Sequence, residues 1–131
     1  MVKFGYTLLY VSNVVNSIEF YEKSFGFTRR FITPENDYGE LETGQTTISF
    51  VSKELANTNL KNGFIECDIL HKPFATELGL VTEEVSEIVA IALKNGGTIL
   101  EEPIKKPWGQ TVAYIRDLDG FLIEICTPIN Q

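Results

Sequence analysis

Apolar and polar residues follow one another along this chain in two successive series of the same kind. Leu8-Leu9-Tyr10-Val11 is a short apolar and aromatic run bounded by Ser12-Asn13, which reads as a strand. Asn13 can cap a helix, because its side chain accepts an N–H that the first turn leaves without a partner. Val14, Ile18, Tyr21 and Phe25 then recur at helical spacing and form one apolar face, and Gly26 supplies the C-terminal stop. Phe27 to Thr33 predicts a strand and Pro34-Glu35-Asn36-Asp37 a turn. Tyr38 to Glu42 and Thr46 to Val51 predict two more strands around Thr43-Gly44-Gln45. The first half therefore reads β-α-β-β-β.

The second half repeats that order. Glu77 to Thr82 predicts a strand, and Val85, Ile88, Val89 and Ala92 mark a helix closed by Gly96-Gly97. Thr98 to Glu101 predicts a strand, after which Pro103 and Pro107 punctuate a loop. Gly109 to Arg116 and Phe121 to Cys126 are the last strands, joined by the tight turn Asp117-Leu118-Asp119-Gly120. The connection between the halves, Ser52 to Pro73, is less regular, with a helical tendency at Ser52-Lys53-Glu54-Leu55-Ala56. An internal repeat governs architecture more firmly than local propensity. The expectation is an α+β fold, two βαβββ repeats forming a curved, mostly antiparallel sheet trough with helices on the outer face. One domain over residues 1–131 is expected, with repeat one at about 4–52, the connection at about 53–73 and repeat two at about 74–128.

Length and composition narrow what such a trough can do. The 131 residues make one domain of ordinary size, with 44% hydrophobic and 22% charged residues. No apolar run reaches the ~18 residues needed to span a bilayer, and the first residues lack signal-peptide architecture. Two cysteines, Cys67 and Cys126, are too few for a disulfide framework and fit a reducing cytoplasm. A formal net charge of −7 repels phosphate backbones and anionic lipid, so neither nucleic acid nor membrane is an expected partner. The single histidine, His71, lies in the connection before Lys72-Pro73 and reads as a surface residue. Neither cysteine has a basic sequence neighbour that would activate a thiolate. Asp117 and Asp119 read as turn formers whose carboxylates hold nearby backbone N–H groups.

The order of these segments resembles the vicinal oxygen chelate superfamily, which includes glyoxalase I, extradiol dioxygenases and bleomycin-resistance proteins. The resemblance is carried by Leu9-Tyr10-Val11-Ser12-Asn13, Ser17-Ile18-Glu19-Phe20-Tyr21 and Phe25-Gly26-Phe27. In the second half it is carried by Pro107-Trp108-Gly109, Asp117-Leu118-Asp119-Gly120 and Ile123-Glu124-Ile125. Metal-dependent members place one ligand on each of four strands, and the resemblance puts Tyr6, Ser49, Glu77 and Glu124 at those places. The relatives' histidines are missing, and only the fourth place keeps a family ligand. A site without imidazole or thiolate holds Zn²⁺ or Ni²⁺ poorly, whereas Glu77 and Glu124 could give oxygens to a hard divalent cation.

These residues leave alternatives. Glu77 and Glu124 could act as a catalytic pair, one carboxyl raised by the other's charge and serving as a general base. Alternatively, Glu77 could face water while Glu124 bonds Tyr6 or Tyr114. Tyr114 corresponds to a tyrosine that faces the trough in drug-binding relatives, and Tyr6 and Tyr10 share strand parity on the same wall. Trp108, in its Pro-Trp-Gly turn, either lines the trough or touches a second subunit. The expected function is binding of a small aromatic or cationic molecule through Tyr6, Tyr10, Ser49, Trp108 and Tyr114, without a metal, by a cytoplasmic homodimer. The alternative is a divalent-metal-dependent lyase or isomerase of the glyoxalase type using Glu124 and Glu77. A regulatory module without a small ligand is a third class.

Overall fold

The computed structural model describes residues 1–129, and the expected domain limits extend to two further residues that lie outside them. The chain divides into two compact units, Met1–Glu66 and Cys67–Gln131. The first unit contains β1 (Thr7–Val11), α1 (Val14–Phe25), β2 (Thr28–Ile32), β3 (Tyr38–Glu42), β4 (Thr47–Ser52) and α2 (Lys53–Asn59). The second contains β5 (Glu77–Val81), α3 (Val85–Lys94), β6 (Thr98–Lys105), β7 (Thr111–Arg116) and β8 (Leu122–Cys126). Each unit is thus a βαβββ module, and α2 extends the first.

Both modules build the same mixed sheet, in the orders β1-β4-β3-β2 and β5-β8-β7-β6. The first strand of each pairs in parallel with the last, and the other pairings are antiparallel. Leu8 stands opposite Ser49 and Glu40 opposite Ser49, while Gly79 and Tyr114 stand opposite Glu124. Ser49 and Glu124 therefore occupy the same rung of the two modules.

Strand alternation separates the two faces of each sheet. In the first unit Leu9, Val11, Leu41, Ile48 and Phe50 are buried on the side where α1 packs, together with Val14, Ile18, Phe20 and Tyr21 of that helix. Tyr21 and Phe50 meet edge to face at 5.1 Å. In the second unit Ala113, Ile115, Ile123 and Ile125 lie beneath Val85, Val89 and Ala92 of α3. The opposite faces carry Tyr6, Tyr38, Glu40 and Ser49 in one module, and Glu77, Tyr114 and Glu124 in the other.

Local chemistry explains the limits of α1. The Asn13 side chain accepts from the Asn16 N–H at 2.9 Å, and Gly26 adopts φ 75°, left-handed backbone that favours glycine. Three segments differ from expectation. Strand β6 runs on to Lys105 through Pro103, instead of breaking into a loop after Glu101. It is an edge strand whose pairing shifts on either side of Glu101, so the missing proline N–H leaves no gap in the ladder. Strand β7 begins at Thr111 and not Gly109, because Gly109 has φ 99° and its N–H closes a turn onto the Lys106 carbonyl at 2.9 Å. The connection's helix starts at Lys53 and reaches Asn59, with the Ser52 hydroxyl accepting from the Leu55 N–H at 3.1 Å.

Candidate functional site

In the second unit the central group is Glu124, in the middle of β8. Tyr114, directly across the ladder on β7, donates its phenolic O–H to Glu124 Oε2 at 3.0 Å. That bond, reinforced by burial and by the charges of Glu124 and Glu77, pushes the Tyr114 phenol up to about 12. Glu77, at the start of β5, is exposed. Its carboxyl is held above the usual carboxylate range, first by partial desolvation and then by the negative charge of Glu124. Cys126 follows Glu124 at the next residue on this face. Burial, with Glu124 beside it, pushes its thiol up to about 11, so it stays protonated at neutral pH. Of the two tyrosines considered as partners of Glu124, Tyr114 is the one bonded to it.

Trp108 sits outside the ladder on the turn between β6 and β7, with 66% of its surface exposed. Its indole N–H donates to Gln110 Oε1 at 2.8 Å, and Gln110 Nε2 donates to the Thr127 carbonyl at 2.8 Å. Gln110 had no distinguishing signal in the sequence.

In the first unit Ser49 is fully buried, and its hydroxyl lies 3.2 Å from the Tyr38 phenol. Tyr38 donates to Glu40 Oε2 at 2.5 Å, while Arg30 Nη1 reaches Glu40 Oε1 at 2.9 Å and Thr47 Oγ1 at 3.2 Å. Burial and the bond to Glu40 push the Tyr38 phenol up to about 12, with Tyr6 contributing a smaller rise. Tyr6 stands just ahead of β1 on this face and is 48% exposed. Tyr10 does not present a bare ring, because Phe64 meets it edge to face at 4.8 Å. Glu40 and Tyr38 escaped the sequence reading, although alternation along Tyr38–Glu42 places both on the face of Ser49.

The donor set does not suit the metal that such folds hold. The four family ligand places carry a phenol, a buried serine hydroxyl already bonded to Tyr38, and two carboxylates, one already bonded to Tyr114. Among the described residues no group of three or more His, Cys, Asp and Glu is arranged to hold a metal ion. His71 is far exposed and lies 3.5 Å from Asp68. Asp117 is a turn former, accepting from the N–H groups of Asp119, Gly120 and Phe121. A cavity of about 470 Å³ opens elsewhere, at the start of α1 against Glu35–Asp37 and Ser52, and none of the expected site residues lines it.

The repeated module, its strand order and the matched rungs of Ser49 and Glu124 agree with a family model spanning residues 3–125, that of the Glyoxalase/Bleomycin resistance protein/Dioxygenase superfamily. The chain belongs to that superfamily. It is 27% identical over 128 residues to lactoylglutathione lyase of Arabidopsis thaliana. That match covers 94% of this chain and 43% of the relative, so the chain spans less than half the length of the curated protein. Among solved structures, a glyoxalase-related enzyme from Fulvimarina pelagi aligns with a TM-score of 0.80 at 18% identity, covering 98% of this chain and 89% of the other. A glyoxalase/bleomycin resistance protein/dioxygenase family enzyme from Burkholderia phytofirmans aligns with a TM-score of 0.78 at 20% identity, over 96% and 98% of the two chains. Those two likenesses are of fold. No helix of the described residues is long and apolar enough to cross a membrane.

Proposed function

We propose that this superfamily member binds a small organic cation with a flat or aromatic body, using the open sheet face of the second unit and no metal ion. The observation that carries the reading is the pair Glu77 and Glu124. The two carboxylates sit close enough for one to raise the other, and within their unit no lysine or arginine among the described residues pairs with either. A bound cation would relieve that repulsion, so charge favours a cationic guest over an anionic one. Tyr114 adds a ring with a polar tip beside the carboxylates, and Trp108 an exposed indole face suited to cation–π contact. In this reading the working state is a homodimer.

The test is thermal shift and calorimetry with N-methylacridinium, 1-naphthalenesulfonate and the ions Mg²⁺, Mn²⁺, Ni²⁺ and Zn²⁺. A ligand that binds only the folded state stabilises it by RT ln(1 + [L]/Kd) and so raises the melting temperature. The reading expects a shift with the cation, none with the anion and no stoichiometric metal. A tightly held metal with no response to the cation overturns it.

The 27% identity to lactoylglutathione lyase favours a second reading, a lyase or isomerase of the glyoxalase type. In it the carboxylate of Glu77, more basic than an ordinary one, takes a proton from a carbon acid, and the Tyr114 hydroxyl orients Glu124. Turnover of a 2-oxoaldehyde–thiol adduct, lost in Glu77→Gln, would select this reading over binding alone.

A further inference from the structure

Trp108 is the chain's one tryptophan, and two-thirds of its surface faces solvent on a turn. Packing therefore does little to hold it. What holds it is a single side-chain amide. The indole N–H is a donor only and the Thr127 carbonyl is an acceptor only, so the Gln110 amide can face just one way, Oε1 toward Trp108 and Nε2 toward Thr127, both at 2.8 Å. Thr127 is itself tied to Thr111 twice. Its N–H donates to the Thr111 carbonyl at 3.0 Å, and its hydroxyl accepts from the Thr111 N–H at 3.0 Å. The same amide lies near the Cys126 thiol, which also has Glu124 beside it and donates to the Leu80 carbonyl at 3.8 Å. The turn backbone is closed independently, by the Lys106 N–H on the Gln110 carbonyl at 2.7 Å. The backbone of the turn thus has its own bonds, and Gln110 is left to orient the ring.

We propose that Gln110 is a positioning residue, which clamps the indole of Trp108 to the end of β8 and presents it as the stacking surface for a flat organic cation. This rests on the binding reading above, because it assigns the aromatic contact of that same site. A preset ring costs a ligand less ordering than one that must be immobilised on binding. It also gives the stacked guest a fixed register to the strand that carries Glu124.

One tryptophan makes the test direct, since all indole fluorescence is from Trp108. Gln110→Ala is expected to keep its melting temperature within a few degrees, because the backbone closure of the turn survives. Its indole should show lower steady-state anisotropy and faster quenching by acrylamide than in the parent protein. N-methylacridinium affinity should fall several-fold, and Trp108→Phe, which keeps a ring but has no N–H for the clamp, should fall by a similar factor. The double variant should be no weaker than the weaker single one. Gln110→Glu keeps an acceptor for the indole but loses the donor to Thr127, and is expected to fall between the parent and Gln110→Ala. Unchanged anisotropy and quenching in Gln110→Ala overturn the clamp whether or not any cation binds. Altered fluorescence with no acridinium binding by any form instead upholds the clamp and overturns the binding reading. If Gln110→Ala unfolds, Gln110→Glu decides in its place, and unchanged anisotropy and quenching of its indole in the folded state overturn the clamp.

Discussion

The two modules place a tyrosine and a glutamate on the same face around equivalent rungs, but the glutamate sits on the third strand of one module and the last strand of the other. In the first, the carboxylate is Glu40 on β3 and the rung of β4 carries Ser49. In the second, the carboxylate is Glu124 on β8 and the facing rung of β7 carries Tyr114. The surroundings differ more than the positions. Glu40 is neutralised by Arg30 and bonded by Tyr38, so its charge is answered within the module. Glu124 has a phenol and a second carboxylate for company. One face is closed chemically and the other is open to a guest of opposite charge. In a repeat, the copy whose charges stay unanswered is the one to examine for binding.

The largest expected contrast lies at the rung of Arg116, whose counterpart is Glu42. Arg116 is buried, and its guanidinium donates to the carbonyls of Asp68, Ile69, His71 and Gly120. Arg116→Ala leaves those acceptors without their donor and should lower unfolding stability by about 3 kcal/mol in urea titration. Glu42→Ala, at an exposed site, should stay within about 0.5 kcal/mol of the parent. Equal losses would show that the modules are more alike than their side chains suggest.

A second contrast pairs Gly39 with Ala113. Both stand opposite the central core residue of the last strand, Phe50 or Ile125. A Cβ at Gly39 would collide with the buried Ile18 Cδ1 and come within 3.1 Å of the Phe31 carbonyl oxygen. Gly39→Ala is expected to cost about 1–3 kcal/mol through overpacking. The reverse change, Ala113→Gly, should cost about 1 kcal/mol through added freedom in the unfolded chain and a lost methyl.

Smaller effects should come from the phenols. Tyr38→Phe and Tyr114→Phe each remove one bond to a carboxylate, about 1 kcal/mol for the former and less for the more open Tyr114. Both phenols are raised in the folded state to about 12 from an ordinary 10. Their contribution is therefore complete below pH 10 and is lost as pH rises from 10 toward 12. The melting-temperature gap between the parent and each Phe variant should be flat to pH 9 and should shrink above pH 10. A gap that widens there would reverse the proton assignment.

The smallest effect has the opposite sign. The Glu77 carboxyl is raised in the folded state, so its ionisation opposes folding at neutral pH and the penalty fades as pH falls through its folded value. Glu77→Gln should melt slightly higher than the parent at pH 7, by about a degree or two since the group is exposed to screening, and no higher at pH 4. The same variant should bind the cation more weakly. Stability gained where binding is lost is the pattern expected of a functional carboxylate.

Much of the fold was legible because local chemistry and tertiary structure agree. Asn13 and Gly26 bracket α1 by their own capping chemistry, and β3 occupies the expected Tyr38–Glu42. The continuation of β6 was not legible, since a proline reads as a break unless the strand is known to lie at an edge. Glu77, Glu124 and Tyr114 were visible through the repeat and the resemblance, and they come together in one module. Glu40 and Gln110 were not visible, because each acts through a partner set by register or by a turn, and neither residue type stands out on its own.

The outer strands have a consequence for behaviour at high concentration. A sheet edge with a regular row of unpaired N–H and C=O groups templates the addition of another chain. β2 shifts register between Arg29 and Phe31 and shows both arginines to solvent. β6 shifts twice, includes a proline, and exposes Glu101, Glu102 and Lys105. Neither strand offers a flat, uncharged ladder, so this chain should resist fibril growth along the β2 and β6 borders even when crowded.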